Sequence, residues 1–516
     1  MTAFASLITC LSRNSPNKFM DKLHCTRLPR QPSGMALTAL TAVAAIAMAV
    51  ILLLVGCATS GELSPPARPV APAALGLQGE TPAVADAWWQ AFDDPQLDAL
   101  VQRALQDHPS LKGAQARVER AQALTAGARA SALPQVNGSL DATHQRFTEN
   151  GLYPPPLAGS TQDTGTLRAS LSWEIDFFGR HRAALDAALG AQRAAEADAQ
   201  AARVVLAANV ARAYVQLARL QEQRAVAERS LAQRGDILAL IRQRVQAGLD
   251  TNVELRQGEG ALPELRQQIE ALDEQMALTR HALAALTVQA PGALDQLAPR
   301  LQGVQAVPLP ARVPADLLGR RADVEAARQR IEAATQDLSS ARTQFYPSVN
   351  LVAFAGFSAI GLDRLLDIGS REYGVGPAIH LPIFDAGRLR ANYKGKAADL
   401  DAAVQAYNGA VLEAVRDVAD QISSLQAIER QQREQAQAQA AAESAYDLAT
   451  QRYKAGLGTY LTVLSAESNV LAQRRAAADL KARALDTQVA LMRALGGGYR
   501  APEATRTAQA PTAQAR

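Results

Sequence analysis

Between Leu167 and Arg180 the side chains alternate. Leu167, Ala169, Leu171, Trp173, Ile175 and Phe177 fall on one side, and Arg168, Ser170, Ser172, Glu174 and Asp176 on the other. A period of two with one apolar and one polar face predicts a β-strand. At Gly179-Arg180 the period changes, and an Ala- and Gln-rich stretch with helical spacing runs without proline to about Gln246. The junction recurs: Tyr373-Gly-Val-Gly-Pro-Ala-Ile-His-Leu-Pro-Ile-Phe-Asp-Ala-Gly387-Arg388 also becomes a long helical stretch. A strand that ends in Gly-Arg and turns into a long helix, written twice, is an internal repeat.

The flanking segments repeat in the same order. Ala132-Leu133-Pro134-Gln-Val-Asn137 matches Phe345-Tyr346-Pro347-Ser-Val-Asn350. Arg244-Val-Gln-Ala247-Gly248-Leu249-Asp-Thr251 matches Arg452-Tyr-Lys-Ala455-Gly456-Leu457-Gly-Thr459. The predicted halves are 88–312 and 313–499. The first carries strands at about 135–147 and 166–177 and a long helix at about 180–246; the second carries strands at about 348–358 and 372–383 and a long helix at about 387–455. Leu206, Val210, Ala213, Leu217 and Leu220 form a heptad seam. Each long helix is a rod of about 100 Å. Helical spacing also runs from Leu97 to about Ala130, Pro263 marks a candidate kink, and each half is expected to hold two shorter helices of about 35 residues.

Four strands cannot close a barrel, and lipid does not tolerate an open sheet edge. Outer-membrane barrels start at eight strands, which two chains would supply and which fill with their own side chains; three chains give twelve and leave a channel. The expected fold class is therefore mainly α with transmembrane β. It is a trimeric, 12-stranded outer-membrane β-barrel, four strands per chain, continued by a long α-helical periplasmic barrel. The alternative, a solid coiled-coil rod in the periplasm, leaves the alternating strands without a role.

The N-terminus adds an address. Ala36–Val55 carries no charge, and Lys18, Lys22, Arg27 and Arg30 precede it. This pattern predicts a signal peptide over 1–56, with an uncleaved anchor helix as the alternative. Residues 57–87, rich in Pro and Ala, form an arm or linker, and 500–516 a disordered tail. Cys10 and Cys25 lie upstream of the expected cleavage, so the mature chain keeps Cys57 alone and no disulfide. Lys and Arg number 53 against 50 Asp and Glu, a balance that gives no argument for nucleic acid. The six histidines lack metal-ligand spacing, and no phosphate loop or nucleophile elbow occurs. Neither a metal, a cofactor nor an enzymatic activity is expected.

Leu54-Val-Gly-Cys57 resembles a bacterial lipobox, which implies lipid on Cys57. With Trp88-Trp89, Phe92-Asp-Asp-Pro95, Trp173-Glu-Ile-Asp-Phe-Phe-Gly-Arg180, Leu381-Pro-Ile-Phe-Asp-Ala-Gly387-Arg388 and Ala494-Leu-Gly-Gly-Gly498, the series resembles the outer-membrane factor family of TolC-like exit ducts. It is most similar to the NodT-type lipoprotein branch of RND efflux systems. The resemblance implies a homotrimer anchored to outer-membrane lipid. It also implies a periplasmic adaptor, an inner-membrane RND transporter, and passive conduction of small molecules. A duct for type I protein secretion is the nearest alternative. The resemblance further places an aperture at the helix-hairpin tips. Asp250 and Glu254 are the candidate carboxylates there, a helix cap being the other reading of Asp250. Thr462 and Ser465 stand where relatives commonly carry acidic residues. Gly179, Arg180, Gly387 and Arg388 mark the strand-helix junctions, and Arg321-Ala322-Asp323 departs from the family's Arg-Pro-Asp.

Overall fold

The computed structural model describes residues 67–71, 75, 84–301 and 319–500. The chain divides at Thr59–Ser60, and every described residue belongs to the second unit. Cys57, the predicted signal segment and residues 501–516 of the predicted tail lie outside the described residues. No described helix is long and apolar enough to cross a membrane.

The chain settles on the body through a 3-10 turn, Trp88–Phe92, that buries Trp88, Trp89 and Phe92. Asp94 then caps helix α1 (Pro95–Asp107), accepting from the Gln96 and Leu97 N–H groups at 2.9 and 3.3 Å. The same carboxylate accepts from the Tyr214 hydroxyl at 2.7 Å. Helix α2 is Pro109–Ser131. The uninterrupted helix expected from Leu97 breaks at His108, whose backbone (φ −62°, ψ 130°) is extended because Pro109 disfavours helix in the residue before it.

Strands β1 (Gln135–Arg146) and β2 (Thr161–Ile175) and helices α3 (Arg180–Gln246) and α4 (Asn252–Leu286) complete the first half. The second half runs α5 (Ala322–Thr343), β3 (Ser348–Ile360), β4 (Arg371–His380), α6 (Arg388–Lys454) and α7 (Tyr460–Ala494). Helices α3 and α6 have 67 residues each, and α4 and α7 have 35 each. Helices α2 and α5, at 23 and 22 residues, are shorter than the predicted length. Pro109 and Pro134 bound α2, and Pro347 follows the end of α5. Helix α4 continues through Pro263.

Helix α3 packs along α2, α4, α5 and α7, and α6 along α5 and α7. Its seam residues Leu206, Val210, Leu217 and Leu220 are fully buried in the largest apolar cluster, with Trp88, Trp89 and Leu485. Each such leucine contributes about 1.5–3 kcal/mol. Toward the sheet α3 buries Ala183, Ala187, Ala194 and Ala197 instead, small side chains that let helices approach closely.

The four strands form one antiparallel sheet in the order β1-β2-β3-β4, so the two halves meet at β2–β3. Strand β2 begins at Thr161, ahead of the predicted 166, because the polar Thr161–Gly165 segment is laddered to Ala142–Arg146. It ends at Ile175, and Phe177 leaves the predicted face in a turn, its N–H bonded to the Ile175 carbonyl at 2.9 Å. Strand β4 ends at His380, short of the predicted 383, since Pro382 has no N–H to add to a ladder.

Candidate functional site

Directly paired residues share a face, so the register sorts the sheet into two surfaces. Val136, Leu171, Ala353 and Val375 form one rung, and Gly138, Ala169, Ala355 and Tyr373 the next. The other surface holds Asn137, Ser170, Phe354 and Gly374 in one rung and Ser139, Arg168, Gly356 and Glu372 in the next. In the single chain the apolar surface is open: Val136, Leu140, Tyr373 and Val375 are 68%, 67%, 83% and 75% exposed, β1 being exposed on both faces and β4 mainly on this one. A water-soluble sheet buries that face; a sheet bounded by hydrocarbon presents it. Strands β1 and β4 each leave one edge without a strand partner among the described residues.

At both strand-helix junctions a glycine in left-handed backbone, Gly179 (φ 78°) and Gly387 (φ 89°), precedes the first helical residue, Arg180 or Arg388. An aspartate satisfies the open helix end in each copy. Asp176 accepts from the Arg182 N–H at 2.8 Å, and Asp385 accepts from Gly387 and Leu389 at 3.0 and 2.8 Å. Arg180 is ion-paired with Glu174, which fixes the end of β2 to the start of α3.

The far ends of the rods are the hairpin tips. Both long helices stop alike: Gly248 and Gly456 are left-handed (φ 71° and 77°), and the Leu249 and Leu457 N–H groups return to the Arg244 and Arg452 carbonyls at 2.8 Å. After that the copies diverge. Thr251 caps α4, receiving the Val253 N–H at 3.1 Å, while Glu254 Oε2 accepts from the Thr251 N–H at 3.0 Å and from its hydroxyl. This capping box holds the Glu254 carboxyl below its ordinary 4.5, the Thr251 hydroxyl contributing most. Thr459 makes no such cap; its hydroxyl meets that of Thr462 at 3.1 Å.

Asp250 does not cap the helix. Its carboxylate takes Arg244 Nε and Nη2 at 2.9 and 3.2 Å and the Tyr453 hydroxyl at 2.5 Å. Arg244 also donates to the Tyr453 carbonyl at 3.2 Å and lies over its ring, 4.7 Å from the centroid. Burial pushes the Asp250 carboxyl up, but the hydrogen bonds from Arg244 and Tyr453, with the charge of Arg244, outweigh it and leave the group below its ordinary 3.8. Sequence reasoning passed over Arg244 and Tyr453 as partners. The available signal was a phenol at 453 where the first copy has Val245, beside an arginine present in both copies.

Thr462 and Ser465 are exposed on the first turns of α7. The nearest carboxylate further along that helix, Glu467, is buried. Both its oxygens accept Arg234 Nε at 3.0 Å, and Arg234 Nη1 reaches the Ala261 carbonyl at 3.0 Å. Of the second half's inherited positions, Arg321 grips Asp323 at 3.0 and 2.6 Å and the Ala494 carbonyl at 3.3 Å, joining the start of that half to its end. Among the described residues no cluster of His, Cys, Asp or Glu could hold a metal ion.

Comparison with known proteins bears on all of this. The chain is 38% identical over 357 residues to the fusaric acid resistance protein FusA of Burkholderia cepacia, spanning 67% of each chain. It is 33% identical over 463 residues to the pyoverdine export outer membrane protein OpmQ of Pseudomonas putida, spanning 88% of this chain and 97% of that one. The structure superposes on the outer membrane protein VceC of Vibrio cholerae with a TM-score of 0.76 at 36% identity, covering 80% of this chain and 98% of that one. The family model for outer membrane efflux proteins matches residues 100–288 and 313–497, one block in each half. The duplication is thus the family's own pattern, and this chain belongs to the outer membrane efflux protein family.

Proposed function

We propose that three copies of this chain close their sheets edge to edge into a twelve-stranded outer-membrane barrel, and that their rods continue it through the periplasm as a passive exit duct for small molecules. The observation that carries this is the sheet itself, four strands with an apolar open face and two edges that have no strand partner among the described residues. Edge strands in lipid must find partners, and a neighbouring copy supplies them. The chain conducts and does no chemistry; an inner-membrane transporter of the RND type supplies the energy. Resistance to fusaric acid and export of pyoverdine, the roles carried in the relatives' names, concern small organic molecules and favour efflux over protein secretion.

The tips supply the rest of the reading. Leu249 and Val253 on one hairpin and Leu457 and Leu461 on the other are 65%, 62%, 71% and 64% exposed. In each pair the first residue sits in the turn after the left-handed glycine and the second on the first turn of the following helix, so both hairpins expose apolar side chains at corresponding tip positions, a docking surface for a periplasmic adaptor. Asp250, tied to Arg244 and Tyr453, holds the two hairpins of a protomer together in the closed state. Glu254, Thr462 and Ser465 line the aperture. Cys57, behind an uncharged apolar stretch, carries the lipid that tethers the arm to the outer membrane.

The test is single-channel recording of the detergent-purified mature protein in a planar bilayer, with Asp250→Asn alongside. Discrete openings that lengthen in Asp250→Asn are expected. Well-folded protein that never inserts would sink the barrel, and insertion with openings indifferent to Asp250 would remove it from the gate.

A further inference from the structure

The polar surface of the sheet carries an ordered cluster that conduction alone does not require. Arg168 on β2 donates through Nε to Glu372 on β4 at 2.8 Å, with Nη2 2.6 Å from the same oxygen. These strands are not neighbours. Strand β3 lies between them, and the pair crosses it at Gly356, which shares their rung. A Cβ at position 356 would stand 2.1 Å from the Leu167 carbonyl oxygen, so glycine there lets β3 approach the β2 backbone closely beneath the pair. One rung away Phe354 lies over Gly374, where a Cβ would come within 2.8 Å of the ring. The Arg168 guanidinium rests on that ring, 4.8 Å from its centroid. A long, flexible cation is thus fixed between a carboxylate and an aromatic face.

The pair of Arg168 and Glu372 is half-buried and still open to solvent, and ion pairs open to water gain little from being ordered. What the arrangement does change is the charge that the wall presents. On the polar surface of the outer strands, adjacent rungs carry two carboxylates, Asp141 on β1 and Glu372 on β4. Arg168 is the cation between them. Asp141 has no ion-pair partner among the described residues.

We propose that Arg168, seated on Phe354 and Glu372, sets the charge selectivity of the barrel section of the duct. It cancels Glu372 and leaves Asp141 as the single unpaired carboxylate of this band, so the lumen favours cations mildly and tolerates neutral and anionic solutes. Unpaired, Glu372 would double the negative charge at each seam between copies. This rests on the duct reading above, and the test separates the two.

Reversal potentials are measured across a planar bilayer in a potassium chloride gradient. All channels carry Asp250→Asn, so that tip closure does not dominate the resistance. Arg168→Gln is expected to raise the ratio of potassium to chloride permeability several-fold, and Glu372→Gln to lower it below that of the parent. The exchanged double variant, Arg168→Glu with Glu372→Arg, should return close to the parent ratio. Unchanged ratios in channels that conduct overturn the proposal, as does a loss of heat resistance of the trimer in Arg168→Gln with the ratio unmoved. Absence of conductance in every variant, parent included, instead overturns the duct.

Discussion

The Tyr453 hydroxyl, at the end of one long helix, donates to the Asp250 carboxylate, just past the end of the other, at 2.5 Å. The two residues belong to different halves of the duplication, so this bond joins hairpins that the repeat alone would leave equivalent. Burial first, and then the adjacent carboxylate, push the phenol well above its ordinary range, so it remains a protonated donor. A hydrogen bond to a charged group in such surroundings contributes about 1.5–3 kcal/mol. Tyr453→Phe should therefore lengthen openings in single-channel records nearly as much as Asp250→Asn does. The double variant should add little more, because both changes break one link.

The same link predicts a pH dependence. The Asp250 carboxyl lies below its ordinary 3.8 in the folded chain. A depressed folded-state value means that the stabilisation is fully present above the unfolded value and is lost as pH falls through the folded one. Open probability should stay flat from neutral pH to about pH 5 and rise only under stronger acid. In Asp250→Asn the acid-induced rise should be absent. A rise between neutral pH and about pH 5 in the parent would assign gating to another group.

The caps differ between copies, and their variants should differ too. Thr251 receives the Val253 N–H at 3.1 Å, whereas Thr459 makes no backbone cap. Thr251→Ala should cost about 1 kcal/mol of local stability. Thr459→Ala should cost less. Hydrogen exchange of the first turns of α4 and α7 measures both, with faster exchange expected only in α4.

Substitutions in β2 test which surface meets lipid. Leu167→Lys places a charge on the apolar face and should destabilise the barrel by about 2–4 kcal/mol at mid-depth. Ser170→Lys, on the polar face, should be close to neutral. Folding into lipid vesicles, titrated with urea, compares the two. Equal penalties would remove the assignment of faces.

The duplication, the two long rods and the alternating strands were legible in the sequence, because periods of two and of three to four survive in a linear reading. Proline and glycine marked most boundaries, though the break at His108 needed more weight on Pro109 than the helical spacing around it suggested. The apolar and polar faces of the sheet were legible for the same reason, residue by residue in β2. Which residues meet across strands was not. Arg168 and Glu372 are linked only by the register of three strands, and Asp250 and Tyr453 only by the packing of two hairpins. The family resemblance gave Asp250 and Glu254 equal standing as tip carboxylates. The fold separated them, one held by a capping box within its own turn and the other by Arg244 of the helix it follows together with Tyr453 of the other long helix. The sequence by itself determined the elements and their faces, since these follow from local backbone geometry and hydrophobic period. Only the tertiary structure decided the partners, since a charge is stabilised by whichever group the fold brings within hydrogen-bonding distance, however far apart the two lie along the chain.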